Sequence, residues 1–306
     1  MDESSIKLNS FKAWLLAARP KTLTGASVPV MIGVAMSVAD SNVEAPFHWL
    51  PALLCFLFAF VMQIDANFIN DFFDYANGND DDTRLGPKRA CSEGWVSIDA
   101  MKRAIAFTTV IACVIGLPLV YWGGLEMIMV GILCVVFCFL YTTHLSYIGM
   151  GDVLVLVFFG IVPVCITYYV QYHLCNVELF VASLSCGMVI DTLLLINNYR
   201  DIDNDRKAGK NTLCVKVGPH KSRLVYLWTG IMAVLLGVTH FFYGHVFTAL
   251  LPCLYLILHN KAYHELKRIN KGYELNKVLG ITARNMFIYG LLYVVGLAID
   301  LLIASI

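Results

Sequence analysis

Nine apolar runs divide this chain, and none of its Lys or Arg residues falls inside them. The runs cover about 23–40, 48–69, 104–121, 125–143, 153–170, 178–197, 224–242, 246–260 and 285–304. A helix crossing a hydrocarbon core about 30 Å thick needs roughly 17–25 apolar residues. The expected fold is therefore all-α, a polytopic membrane protein with nine transmembrane helices. At 58% hydrophobic and 14% charged residues, the chain lies far from a soluble domain. The longest polar stretch leaves no room for a separate soluble unit, so residues 1–306 read as a single integral-membrane domain.

The basic residues are confined to alternate connections. Of 22 in all, Lys7, Lys12, Arg19 and Lys21 lie in the N-terminal arm, and five, seven and six follow the second, sixth and eighth runs. The opposite connections, near 41–47, 122–124, 171–177 and 243–245, carry none. The excess of positive charge on cytoplasmic loops puts the N-terminus and those loops in the cytoplasm, as expected for a multi-pass protein of the cell (inner) membrane. Acids and bases crowd the same face, so a formal net charge of zero conceals a strongly charged surface suited to an anionic ligand. No basic stripe with interleaved aromatics points to nucleic acid. The ten cysteines lack any CxxC pair and read as small apolar residues, not as a disulfide or zinc framework. The opening MDESSIKLNS is polar and does not read as a cleavable signal.

Two acid-rich stretches sit on that charged face. The first is QIDANFINDFFDYANGNDDDTRLGPKR, Gln63 to Arg89, and the second is INNYRDIDNDRKAGKNTL, Ile196 to Leu213. Each pairs an Asn with an Asp four residues on, Asn70 with Asp74 and Asn197 with Asp201, and adds a later carboxylate, Asp80 or Asp205. Residues at i and i+4 share a helix face, so each stretch aims an amide and a carboxylate at a common point. The parallel between the stretches suggests an internal duplication. Oxygen donors converging from two sides suit Mg²⁺, with Asn70, Asp71, Asp74, Asp80, Asn197, Asp201 and Asp205 as candidate ligands.

Mg²⁺ and cationic side chains together suit a diphosphate, and a bilayer helix bundle suits the apolar tail of a prenyl diphosphate. Breaking the allylic C–O bond requires neutralising charge on the departing diphosphate. Candidates for that contact are Arg19 and Lys21 before the first run, Arg84, Lys88 and Arg89 in the first motif, and Arg200, Lys207 and Lys210 in the second. Tyr141, at the cytoplasmic end of the fourth run, is placed to face an allylic cation through its ring. Asp74 and Asp201 are the expected catalytic centre. Asp152 caps the fifth helix or positions an acceptor, and Asp65 and Asp191 are carboxylates within the spans, where burial costs several kcal/mol.

At these residues the chain resembles the UbiA superfamily of membrane prenyltransferases over nearly its whole length. The strings WLLAARPKTL, NDFFDYANGND with RLGPKR, and NNYRDIDNDRKAGKNTL carry the resemblance, with Pro29 and Gly33 between the first two. Gly78 followed by Asp80 is similar to the spacing of the 1,4-dihydroxy-2-naphthoate branch, as is FFGIVPVCITYYVQ in the fifth run. TTHLSYIGMGD after Tyr141 departs from that branch in lacking its Gly-Pro. The resemblance implies a nine-helix bundle, Mg²⁺ dependence, and transfer of a polyprenyl chain from its diphosphate to 1,4-dihydroxy-2-naphthoate with loss of CO₂, giving the menaquinone precursor demethylmenaquinone. The alternatives are another aromatic acceptor, such as 4-hydroxybenzoate or homogentisate, and a cation-coupled transporter. Transport sites lie near the bilayer midplane, unlike these acids.

Overall fold

A computed structural model describes residues 6–78 and 84–305. Among them the regular structure is helical throughout. The α-helices are α1 (Phe11–Ala18), α2 (Leu23–Ala39), α3 (Trp49–Ala76), α4 (Ile98–Gly116), α5 (Leu119–Gly123), α6 (Glu126–Leu140), α7 (Gly151–Val155), α8 (Val162–Tyr172), α9 (Val177–Arg200), α10 (Ile202–Lys207), α11 (Leu213–Val238, kinked at Gly218), α12 (Val246–Leu250), α13 (Leu254–Ile269) and α14 (Leu275–Ala304), joined in places by short tighter or wider turns.

Among the described residues, seven helical segments are long and apolar enough to cross a membrane: Phe11–Ala39, Trp49–Ala76, Glu126–Leu145, Gly151–Tyr172, Val177–Arg200, Leu213–Tyr243 and Leu275–Ala304. The third and eighth expected runs are not among them, and α4, though 19 residues long, opens with Asp99, Lys102 and Arg103. The third breaks between α4 and α5, where Pro118 cannot continue an α-helical hydrogen-bond ladder. The eighth is split by a tight turn at Leu251–Cys253 that holds Pro252, and α13 then continues into a charged stretch ending at Ile269.

Both acidic stretches begin inside helices. α3 runs past the expected end of its apolar run to Ala76, and so carries Asn70, Asp71 and Asp74 on regular helix. α9 extends to Arg200, with Asp201 closing it. α9 is seated by a close crossing, where a Cβ on Gly160 would come within 2.7 Å of the Gly187 Cα. Only paired glycines let two backbones approach so far. Around this crossing a core forms from α2, α8, α9, α11 and α14, including Ile32, Tyr168, Cys186, Tyr289 and Tyr293. All ten cysteines are free thiols.

Candidate functional site

The string ARPKTL produces a helix break. Arg19 closes α1 in the left-handed region (φ 50°), and Pro20 opens a single tight turn to Thr22. Asn67 of α3 holds that break by donating at 2.9 Å to both the Ala18 carbonyl and Thr22 Oγ1. The Arg19 guanidinium thus enters the bundle, and its Nη2 is buried without a hydrogen-bond partner among the described residues. A buried, unsatisfied guanidinium N–H is costly unless an anion meets it.

The two motifs converge at Asp74. Its buried carboxylate accepts from Arg89 Nη2 at 2.6 Å and from Lys210 Nζ at 3.1 Å. Lys210 belongs to the second motif, so one carboxylate of the first is held by a cation of each. In the second motif, Asp201 accepts a two-pronged contact from Arg200, at 2.8 Å from Nε and 2.6 Å from Nη2. Arg200 also donates to Asn197 Oδ1 at 2.8 Å. Gly86 of the first motif packs against this guanidinium: a Cβ there would lie 2.9 Å from Arg200 Nη2 and 3.1 Å from Arg84 Nη2. Lys210 Nζ further sits 5.3 Å from the centre of the Tyr147 ring, a cation–π distance.

Asp205 lies in the same cluster. Burial pushes its carboxyl up to about 7; Lys210 and Arg200 oppose that rise, while the negative fields of Asp201 and Asp74 add to it. Asp74, Asp201 and Asp205, with the Asn197 amide oxygen held on Arg200 beside Asp201, are an oxygen-only donor set of the chemical kind that hard cations accept. The residues present therefore fit Mg²⁺. Asp80 lies outside the described residues.

Other expected residues stand elsewhere. Asp71 is fully buried, and its two oxygens accept from the backbone N–H groups of Ala90 and Cys91 at 2.9 Å each; it clamps the loop that carries Arg89. Asn70 Oδ1 accepts from Thr142 Oγ1 at 2.6 Å, tying α3 to the turn after Tyr141. Lys88 is exposed and pairs with Glu93 at 2.8 Å. Lys21 and Lys207 are exposed. Arg84 donates to the Pro87 carbonyl at 3.0 Å, shaping its own loop. Tyr141 begins a wide helical turn through Leu145, and its hydroxyl lies 3.9 Å from where a Gly151 Cβ would stand. Asp65 spends its carboxylate between helices, accepting from Thr108 and Thr109. Asp191 does not: its Oδ1, like that of Asp152, is buried without a partner among the described residues.

One residue carries no motif signal. Asn276, at the start of α14, accepts from Arg200 Nη1 at 2.8 Å and donates to the Leu85 carbonyl at 2.7 Å. It sits among Glu, Lys and Leu with nothing in its spacing to mark it.

The UbiA prenyltransferase family profile matches residues 26–299. The chain is 35% identical over 226 residues to 1,4-dihydroxy-2-naphthoate octaprenyltransferase of Escherichia coli, covering 71% of this chain and 72% of that one. It is 34% identical over 224 residues to the enzyme of the same name from Haemophilus influenzae, covering 70% and 72%. A UbiA homolog from Archaeoglobus fulgidus, solved bound to GPP and Mg²⁺, shares the fold with a TM-score of 0.64 at 13% identity, covering 92% of this chain and 99% of that one.

Proposed function

This chain belongs to the UbiA prenyltransferase family, and we propose that it transfers a polyprenyl group from polyprenyl diphosphate to 1,4-dihydroxy-2-naphthoate. Carbon dioxide is lost and demethylmenaquinone forms. One observation carries the reading: Lys210 of the second motif donates to Asp74 of the first, so both acid-rich stretches meet in one space. The relatives named for this reaction support the choice of acceptor. The chain spans the cell's inner membrane nine times as one domain, with the N-terminus and both motifs on the cytoplasmic side.

Asp74, Asp201 and Asp205, with Asn70, Asn197 and Asp80, would hold Mg²⁺. When bound, the ion neutralises charge on the departing diphosphate. Arg19, Arg89, Arg200 and Lys210 surround the same space and bind the diphosphate oxygens, Arg19 through the N–H left without a partner. Arg84 holds the first-motif loop against Arg200. Lys21, Lys88 and Lys207, being exposed, add long-range attraction to an anionic substrate.

Ionisation of the allylic C–O bond leaves a cation that Tyr141 faces. Helix walls exclude water from it, and the electron-rich naphthoate ring attacks. Asp191 and Asp152 offer unpartnered carboxylate oxygens in the neighbouring interior, and they accept from the acceptor's hydroxyl groups. Those hydrogen bonds raise electron density on the ring as it attacks.

The deciding experiment uses membranes containing the protein, labelled polyprenyl diphosphate and a panel of aromatic acceptors, scoring prenylated product and released CO₂. Product and CO₂ from dihydroxynaphthoate alone are expected. Equal or greater turnover with 4-hydroxybenzoate or homogentisate would overturn the acceptor, and no transfer to any acceptor would overturn the chemistry.

A further inference from the structure

At the other end of α9 from Asp201 stands a second cluster, which prenyl transfer does not use. Glu178 lies in the first turn of α9, about 35 Å along the helix axis from Asp201 at 1.5 Å per residue. Its Oε1 accepts from His240 Nδ1 at 2.8 Å and from His245 Nδ1 at 2.6 Å. His240 sits in the tight turn Thr239–Tyr243 that ends α11, and His245 precedes α12. Glu178 and His240 are buried and His245 is half-buried. One ligand atom from each lies within 4.8 Å of the others.

We propose that Glu178, His240 and His245 bind a divalent transition-metal ion of the zinc type. Two imidazole nitrogens and one carboxylate oxygen are a ligand set zinc accepts, with a fourth position left for water. The outer nitrogen of His240 is already fixed, 3.1 Å from Tyr293 Oη, and Tyr293 lies 3.2 Å from Met36 Sδ. A ligating histidine whose far nitrogen is held in this way is the usual arrangement around a metal. Binding moves each imidazole proton from Nδ1 to Nε2. The Nδ1 lone pairs then face the ion, and the His240 Nε2–H donates to Tyr293. Gly244, in the left-handed region at φ 87°, lets the link between the two histidines open by the few tenths of an ångström that metal–ligand distances require.

The two ends of the bundle differ in hardness. The acidic motifs offer oxygen alone, which suits Mg²⁺, whereas this cluster offers mostly imidazole nitrogen, which Mg²⁺ disfavours. The occupied site would fasten the start of α9 to the link between α11 and α12.

Tag-free, full-length protein in detergent, stripped with chelator and returned to excess Mg²⁺, is titrated with Zn²⁺ by calorimetry. One zinc per chain is expected. His245→Ala and Glu178→Gln should weaken it by at least the roughly 10–100-fold that loss of a mere outer partner costs. Zinc should raise the thermal midpoint of the wild type and not of the variants. Should the variants fail to fold, pulsed EPR of Cu²⁺-loaded wild type decides, with coupling to two imidazoles expected. Absence of zinc binding by the wild type, equal affinity in the folded variants, or no imidazole coupling would each show the cluster to be a hydrogen-bonded clamp only.

Discussion

Asn276 takes a hydrogen bond from Arg200 at 2.8 Å while donating to the Leu85 carbonyl at 2.7 Å. A single amide on the last helix thereby aligns the guanidinium of the second motif with the loop of the first. Asn276→Ala removes both bonds. The loss of a charge-assisted contact at about 1.5–3 kcal/mol predicts a kcat/KM for prenyl diphosphate reduced at least about tenfold, with acceptor KM nearly unchanged. Steady-state kinetics varying each substrate in turn will check this.

Asp74→Ala or Asp201→Ala should lower turnover by at least the roughly 10²–10³-fold seen when one charge-stabilising group is lost from an active site. Both proteins should still elute as folded species by size exclusion in detergent. Wild-type rates in either would remove these residues from the reaction.

Asp71 is expected to behave in the opposite way. Replacing it with Ala strands the Ala90 and Cys91 N–H groups, each at about 1–3 kcal/mol. Thermal unfolding in detergent should therefore shift downward for Asp71→Ala.

Chelation should stop transfer, and Mg²⁺ should restore it. The restoration should depend on pH, because the Asp205 carboxyl is pushed up to about 7. Below that value the proton must leave before the oxygen can ligate, so apparent Mg²⁺ affinity falls by up to about tenfold per pH unit as pH drops, and levels off above it. Asp205→Asn should weaken Mg²⁺ binding overall and flatten this dependence. Mg²⁺ titrations at several pH values, read as initial rate, are the measurement.

Asp191→Asn keeps the side-chain shape and replaces one oxygen of a buried carboxyl whose Oδ1 has no partner among the described residues. Thermal stability should hold, since the amide fills the same volume. Acceptor KM should rise by about tenfold, the cost of roughly one hydrogen bond at 1.4 kcal/mol, while the KM for prenyl diphosphate stays constant. A parallel rise in both constants would assign Asp191 to the scaffold.

Part of the candidate site could be read in the chain because its signals are local. Asn70 with Asp74 and Asn197 with Asp201 follow from helical spacing, and ARPKTL announces a helix stop before a cationic turn. Residues whose roles depend on what lies opposite could not be sorted in this way. Asp71 and Asp74 are three positions apart in one acidic run, yet one meets backbone N–H groups and the other meets Arg89 and Lys210. Asp65 and Asp191 look alike as isolated acids within apolar runs, yet Thr108 and Thr109 satisfy the first. Lys88 and Arg89 are neighbours facing opposite ways, toward Glu93 at the surface and Asp74 within.

The order of residues alone determined that this protein is a helical membrane bundle with acid-rich helix ends, because apolar run length and i, i+4 spacing are properties of one segment at a time. Tertiary structure decided which of those charged groups share a space. Pairing Lys210 with Asp74, Arg200 with Asn276, and Glu178 with two histidines depends on helices distant in sequence being brought side by side. The hydrogen-bond energies that give each group its role fall away within a few ångströms and the Coulomb energies weaken with distance, so they act fully only once packing has set those distances.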